Sequence, residues 1–538
     1  MTTITISSGV TSSGVLVSGG STLVVDGGGV SEAAVVYGTE IVSTSGQSLG
    51  DYIEGGGVAD VFGFASGTLL RSGGSETIEG GGVGSALQVD FGGTLIVDHG
   101  GVSEAAALSG TEDVSRGGKS LEDSIGIGAV AVVYGSAIGT VVDSRGSLAI
   151  EAGGVGSGAH VHPGALLTVD DGGVSVAPVV SGLEIVSSGG ELRGGYIERD
   201  RFGGDQLHVY GSASGTVVRS GALAVVEVGG VASGLVNDGG GIGVSGSVYG
   251  MNVQSGFVSV GGLVEDLRFG GPGIAGFDAV YVSSGGVAIS ATVSSGGLGL
   301  IIDGGALSSA VVSNHGQITI TRGGVASDVT VDSGFLGVSG GTLVDAYIRS
   351  GGFYGVQLPG DIAIDVRVSS GASGVVDASA TNGGGYILNG GSEYIGNLGI
   401  ISGTVVSSGG VVTLLRQAVA ENLVLHPGAE FLVSFTSATA KISGGVLEVM
   451  SGAQEVQSIT LSGGGAGLGV TATPSSSGFT EITVTRDGPD AVRAARTPNA
   501  ALFAQAKAAL GDAGALPGSS TTHGGGTSSV VAEVLKPR

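Results

Sequence analysis

The segment DGGGVSEAAVVYGTE, residues 26–40, returns as DHGGVSEAAALSGTE at 98–112 and as DDGGVSVAPVVSGLE at 170–184. Both steps are 72 residues. Residues 30–51 and 102–123 share 14 identities in 22 positions. A chain that rewrites one segment at a fixed interval builds one unit repeatedly, and each unit buries its apolar face against its neighbour. The 72-residue frame is clearest over 22–240. After RDRFGGDQ, 199–206, it slips by four, so that Thr140 aligns with Thr216 and Val155 with Val231.

A shorter unit lies inside the frame. Thr22, Thr39, Thr68, Thr94 and Thr111 mark its expected starts, spaced 17, 29, 26 and 17. The apolar runs are short, rich in Val and Ile, and bounded by Gly, Ser, Asp or Asn, which is strand-turn-strand text. Alternation recurs, as in ITITRGGVASDVTV, 318–331. Repeats of this kind stack as an all-β parallel β-solenoid, with Gly at corners that need positive φ. At roughly 18–24 residues per coil, about 20–27 coils form a rod of about 100–130 Å. In GTVVDS, 139–144, Val141 is assigned to the inward face and Val142 to the outward one.

Composition narrows the function. Glycine is 113 of 538 residues, yet 41% of the chain is apolar, so this is neither collagen nor a polar linker. Aromatics are 4% and Trp is absent, so the core is thin and aliphatic. The net charge of −26 repels phosphate backbones and argues against nucleic acid. No cysteine means no disulfide and no thiolate metal site. The start, MTTITISSGV, has no signal-peptide pattern, and no apolar run is long enough for a membrane helix.

The grammar changes near the end. TEITVTRDG, 480–488, reads as the last strand of a solenoid domain spanning 1–488. A short helical segment is expected over 489–515, with Asn499 as cap, Ala500–Leu510 as helix and Gly511 as stop. A flexible, linker-like tail follows over 516–538.

At SGGSTLVVDGGGVSEAAVVYGTEIVSTSGQ, 18–47, the chain resembles the strand-loop-strand repeats of AIDA-type autotransporter passenger domains. The resemblance covers about 1–485 and carries no catalytic motif. It implies a right-handed parallel β-helix at a bacterial surface, acting in adhesion or cell–cell association, with glycans on Ser or Thr in some relatives. The signal peptide and the C-terminal translocator barrel of that family are not seen, and no self-processing module with a catalytic cysteine is present.

Individual motifs add little chemistry. RGGKS, 116–120, has Asp113 where a phosphate loop needs glycine, and Gly241, Gly243 and Gly246 lack a strand-turn-helix setting. His160 and His162 share a strand face without a third ligand. GGDQLHVYG, 203–211, stands alone, whereas calcium nonapeptides work in tandem. Asp26, Asp98 and Asp170 read as turn residues. Glu32 and Glu104 recur with the repeat, unlike a unique catalytic pair. We therefore expect no enzyme activity, no cofactor and no metal.

The reading is a structural or adhesive protein whose first partner is itself, in head-to-tail filaments or a matrix outside a bacterial cell. Its expected edges are Thr3, Ile4, Thr5 and Ile6 at one end and Ile482 and Val484 at the other, both β-branched and uncharged. The alternatives are a cytoplasmic scaffold filament, favoured by the missing signal peptide, and a protein that binds or cleaves cell-surface glycan or polysaccharide.

Overall fold

Thr3–Ile6, Thr11–Ser13 and Leu16–Val17 form the first of a long series of coils. In this computed structural model, which describes residues 2–200, 206–270, 279–294, 299–475 and 478–487, each strand lies parallel to its counterpart one coil on. Three parallel sheets therefore run along one right-handed β-solenoid, contained in the unit Met1–Gly488. The helix and tail expected over 489–538 lie outside the described residues.

The register explains the 72-residue frame. Thr3 pairs with Thr22, Thr22 with Thr39, Thr39 with Val58, Val58 with Ser75, Ser75 with Thr94 and Thr94 with Thr111. Coils thus alternate between 19 and 17 residues, and four of them make one frame. Thr68 does not belong with the other threonines. It is buried at the corner before Leu69–Leu70, in a different column, which is why the spacing of 29 looked irregular. The slip after Arg199 is a local insertion. The step from Glu184 to Leu207 is 23 residues, whereas Glu112 to Ala131 one frame earlier is 19.

Within the first sheet most strands bury alternate residues, as in Thr22–Val25, where Leu23 and Val25 face in. Stacked coils turn these positions into continuous columns of Leu, Val, Ile and Ala, each large side chain adding about 1.5–3 kcal/mol. In the third sheet the inward residue of the pair Val141–Val142 is Val142, which is fully buried. This reverses the sequence assignment. The two residues are chemically identical, and only the register with Ile125 and Val161, both buried, decides between them.

The Gly-Gly corners do two jobs. Gly28 has φ +83, which favours glycine. At Gly29 a Cβ atom would sit 2.5 Å from the Ile6 carbonyl oxygen of the preceding coil. The first glycine makes the turn and the second lets coils stack. Asp26, Asp98 and Asp170 open such corners, each backbone carbonyl accepting from the third residue on, Gly29, Gly101 or Gly173. They are turn residues, as their recurrence suggested.

The far end is built differently. Glu430–Val433 pairs antiparallel with Thr480–Arg486, which pairs in turn with Leu468–Pro474. A meander of Thr439–Ser443, Val446–Ser451 and Gln454–Leu461 meets Val419–Leu425.

Candidate functional site: an open first coil and a buried acid ladder

The two ends differ in what they leave unpaired. Among the described residues, all three strands of the first coil pair on one side only. Thr3 and Thr5 are exposed, Ile4 is half-buried and Ile6 is buried, while Leu16 stands 62% exposed. The first four edge residues named from the sequence therefore lie on an open edge. Ile482 and Val484 do not. They lie in a strand paired on both sides, Ile482 opposite Phe431, and both are buried. Strand chemistry alone cannot tell a closing strand from an open one; the cap is set by pairing that is remote in sequence.

The flanks hold no metal constellation among the described residues. His160 and His162 do share an outward face, and the His162 Nδ1 lies 2.8 Å from Asp143 Oδ1. His208 Nδ1 lies 2.9 Å from Glu227 Oε1. Gly241 and Gly243 lie within a strand, Val236–Val244, so they form no phosphate-binding turn. Arg71 and Arg219 sit over the rings of Tyr52 and Tyr196 in the preceding coil and pair with Glu54 and Glu198. These two clasps of the same residue types tie neighbouring coils together.

The unexpected chemistry is inside. Glu40, Glu76, Glu112 and Glu184 are buried in the first-sheet column, where the coils beside them place Leu23, Ala59, Leu95, Ala131, Leu167 and Leu207. Glu40, Glu76 and Glu112 are 36 residues apart, two coils each. Asp51 and Asp123, both fully buried, lie at the corners before Tyr52–Ile53 and Ser124–Ile125. Asp51 Oδ2 accepts from the hydroxyls of Ser31 at 2.7 Å and Ser48 at 2.9 Å, and Oδ1 from the Ala34 N–H at 2.7 Å. Asp123 repeats this with Ser103 at 2.8 Å, Ser120 at 2.8 Å and the Ala106 N–H at 2.7 Å. Burial, reinforced by the facing Asp51, pushes the Glu40 carboxyl well above the ordinary range. Burial and Asp123 do the same to Glu112. Burial, with Asp51 nearby, lifts Glu76 to about 8, and burial lifts Glu184 to about 7.

A second polar cluster lies farther along. The Tyr354 hydroxyl donates to Glu393 Oε1, and Asn382 Nδ2 donates to both, at 3.0 Å to the Tyr354 oxygen and 2.6 Å to Glu393. The Tyr354 ring fills the space that a side chain at Gly374 would occupy.

No family model and no curated protein matches this chain. Among solved structures, a hyper-glycosylated TibA fragment, glycosylated by TibC, is 25% identical, with 62% of this chain and all of that chain covered and a TM-score of 0.29. A tailspike protein of the E. coli bacteriophage HK620, solved with a pentasaccharide, is 10% identical over 84% of each chain, with a TM-score of 0.17. Both likenesses are distant and partial, and at these scores neither carries a site or a function to this chain.

Proposed function

We propose that this chain is a non-enzymatic structural protein of adhesin or scaffold type that associates with its own kind through the first coil, at a bacterial surface. The observation that carries the reading is the asymmetry of the ends: three one-sided strands and a partly uncovered core at one, an antiparallel cap at the other. An unpaired row of N–H and C=O groups recruits another strand unless charge, proline or a cap blocks it. Here Thr3–Ile6 carries no charge and no proline, and among the described residues no strand covers its outer side.

The closed far end bears on geometry. A head-to-tail filament needs two complementary ends, and Ile482 and Val484 offer none. First coil against first coil forms a closed pair instead. Among the described residues two strands of the far end are also paired on one side only, Leu468–Pro474 and Thr439–Ser443, and either would support an open series.

Sedimentation velocity over a concentration series tests both. A dimer that Ile4→Lys abolishes supports first-coil pairing. Ile4 is half-buried, so its lysine reaches solvent, whereas lysine at Ile6 would unfold the coil. An open series of oligomers abolished by the same substitution supports the filament. A strict monomer at all concentrations overturns self-association.

A further inference from the structure

We propose that the interior of this solenoid is a proton-binding ladder, in which Glu40 with Asp51, and Glu112 with Asp123, each hold one shared proton between two carboxyl groups, so that the fold is tightest in acid.

The geometry comes first. In each cluster the aspartate is fully supplied as an anion: two serine hydroxyls and one backbone N–H point at it. The glutamate facing it is under-supplied. Neither Glu40 oxygen, nor Glu112 Oε1, meets a donor, and the Ser31 hydroxyl beside Glu40 is committed to Asp51. Two acceptor groups in contact inside a core are reconciled when one of them carries a hydrogen. A glutamic acid O–H donating to the aspartate satisfies both and leaves one negative charge where two would repel.

The repeat supplies an internal control. One frame beyond Asp123 the chain has Gly195, and one frame beyond Ser120 it has Leu192. The aspartate and its serine are lost together, while Ser175 and Glu184 remain. The aspartate and the serine three residues before it are thus kept or lost together, and Glu184 is left as a buried acid without an aspartate beside it.

Among the described residues nothing else in the packing supplies a counter-charge. Glu40 stacks between Leu23 and Ala59, Glu76 between Ala59 and Leu95, Glu112 between Leu95 and Ala131, and Glu184 between Leu167 and Leu207. The ionisable groups acting on them are Asp51 and Glu76 on Glu40, Asp51 on Glu76, and Asp123 and Asp113 on Glu112. All are acidic, and no basic group is among them.

The sign follows. A carboxyl raised in the folded state stabilises fully below its unfolded value, near 4.5, and that stability is lost as pH rises through the folded value. The window therefore runs from near 4.5 to about 7 at Glu184 and to about 8 at Glu76. Exposed carboxylates have finished titrating by roughly pH 6, so the upper half of the window belongs to the buried groups.

The test uses the whole chain. Infrared spectra between pH 5 and 8 should retain a neutral-carboxyl band at pH 6.5, well above ordinary carboxylate titration. Glu40→Gln with Glu76→Gln and Glu112→Gln should diminish it. A glutamine amide donates to Asp51 as the protonated acid does, so this variant is expected to fold. Its urea midpoint should lose about half or more of the wild-type fall between pH 6 and 8. Glu32→Gln, at an exposed site, should keep the full fall. A wild type with no neutral-carboxyl band at pH 6.5, or with a midpoint that rises toward pH 8, overturns the proposal. So does stabilisation by calcium or sodium at pH 8 that the triple variant lacks, which would put a cation in place of the proton.

Discussion

A single register position decides whether a residue in this chain is structural or neutral. Val141 and Val142 show this most directly. Val142→Asp would place an unpaired carboxylate between Ile125 and Val161, at a cost of several kcal/mol, because no donor or cation is at hand. Val141→Asp would put the same group on the half-buried outer face beside His160 and should change stability by less than about 1 kcal/mol. Urea denaturation of the two variants checks this, and equal losses would overturn the register. The buried glutamates obey the same rule from the other side. Position two of Thr39–Val42 faces in whether it holds leucine or glutamate, and the chain fills it with both. Alternation along each strand puts these acids on the core face, whereas polarity alone would put them at the surface. The aspartate beside Glu40 lies 11 residues on, and the serines that hold it lie 20 and three residues before it, so only the coil brings the set together.

At the scale of the strand and corner, most of the fold was legible. Short β-branched runs, Gly-Gly corners and the 72-residue frame lead to three parallel sheets, because every local preference agrees with stacking. The coil length was not legible from threonine spacing, since Thr68 and its counterpart Thr140 occupy a corner column, not a strand start. The cap was not legible either: TEITVT reads alike whether it continues a parallel sheet or closes one. The corners themselves give a sharp prediction. Gly28→Ala meets only a positive φ and the flexible Ser8 side chain, and should cost about 1 kcal/mol. Gly29→Ala drives a methyl into the Ile6 carbonyl, which belongs to the backbone of the preceding coil, and should cost more. Hydrogen exchange around Thr3–Ile6 in the two variants separates the cases. A milder effect from Gly29→Ala would mean that stacking is looser than the geometry requires.

Taken whole, the unit is nearly one-dimensional, since along the solenoid the strands of each coil pair with those of the coils on either side. Stability in such an array is a sum of coil and interface terms, and unfolding enters where an interface is missing. That place is the first coil, whose strands are one-sided and whose Leu16 and Val10 stand exposed. The opposite end is protected in three ways. Thr480–Arg486 is paired on both sides, Phe431 is covered by Ile482, and the Thr480 hydroxyl donates to the Phe435 carbonyl at 2.7 Å while accepting from the Ala438 N–H at 2.9 Å. Amide exchange followed by mass spectrometry should therefore run as a gradient. Protection should be lowest over Thr3–Val17, climb over the next coils, and remain high through Glu430–Val433 and Thr480–Arg486. Raising the pH from 5 to 8 should steepen the gradient from the same end, because Glu40 and Asp51 lie in the third coil, the first to carry a buried acid pair. Each pH unit across the window removes about 1.4 kcal/mol per buried acid, which exceeds the contribution of one exposed terminal strand contact. The opening front should then move inward as far as the paired acids of the first two frames and slow beyond Asp123, where no aspartate supports the next glutamate. Exchange that begins at Thr480–Arg486, or that is uniform along the rod at pH 8, would overturn both the open-end assignment and the inward course of the front.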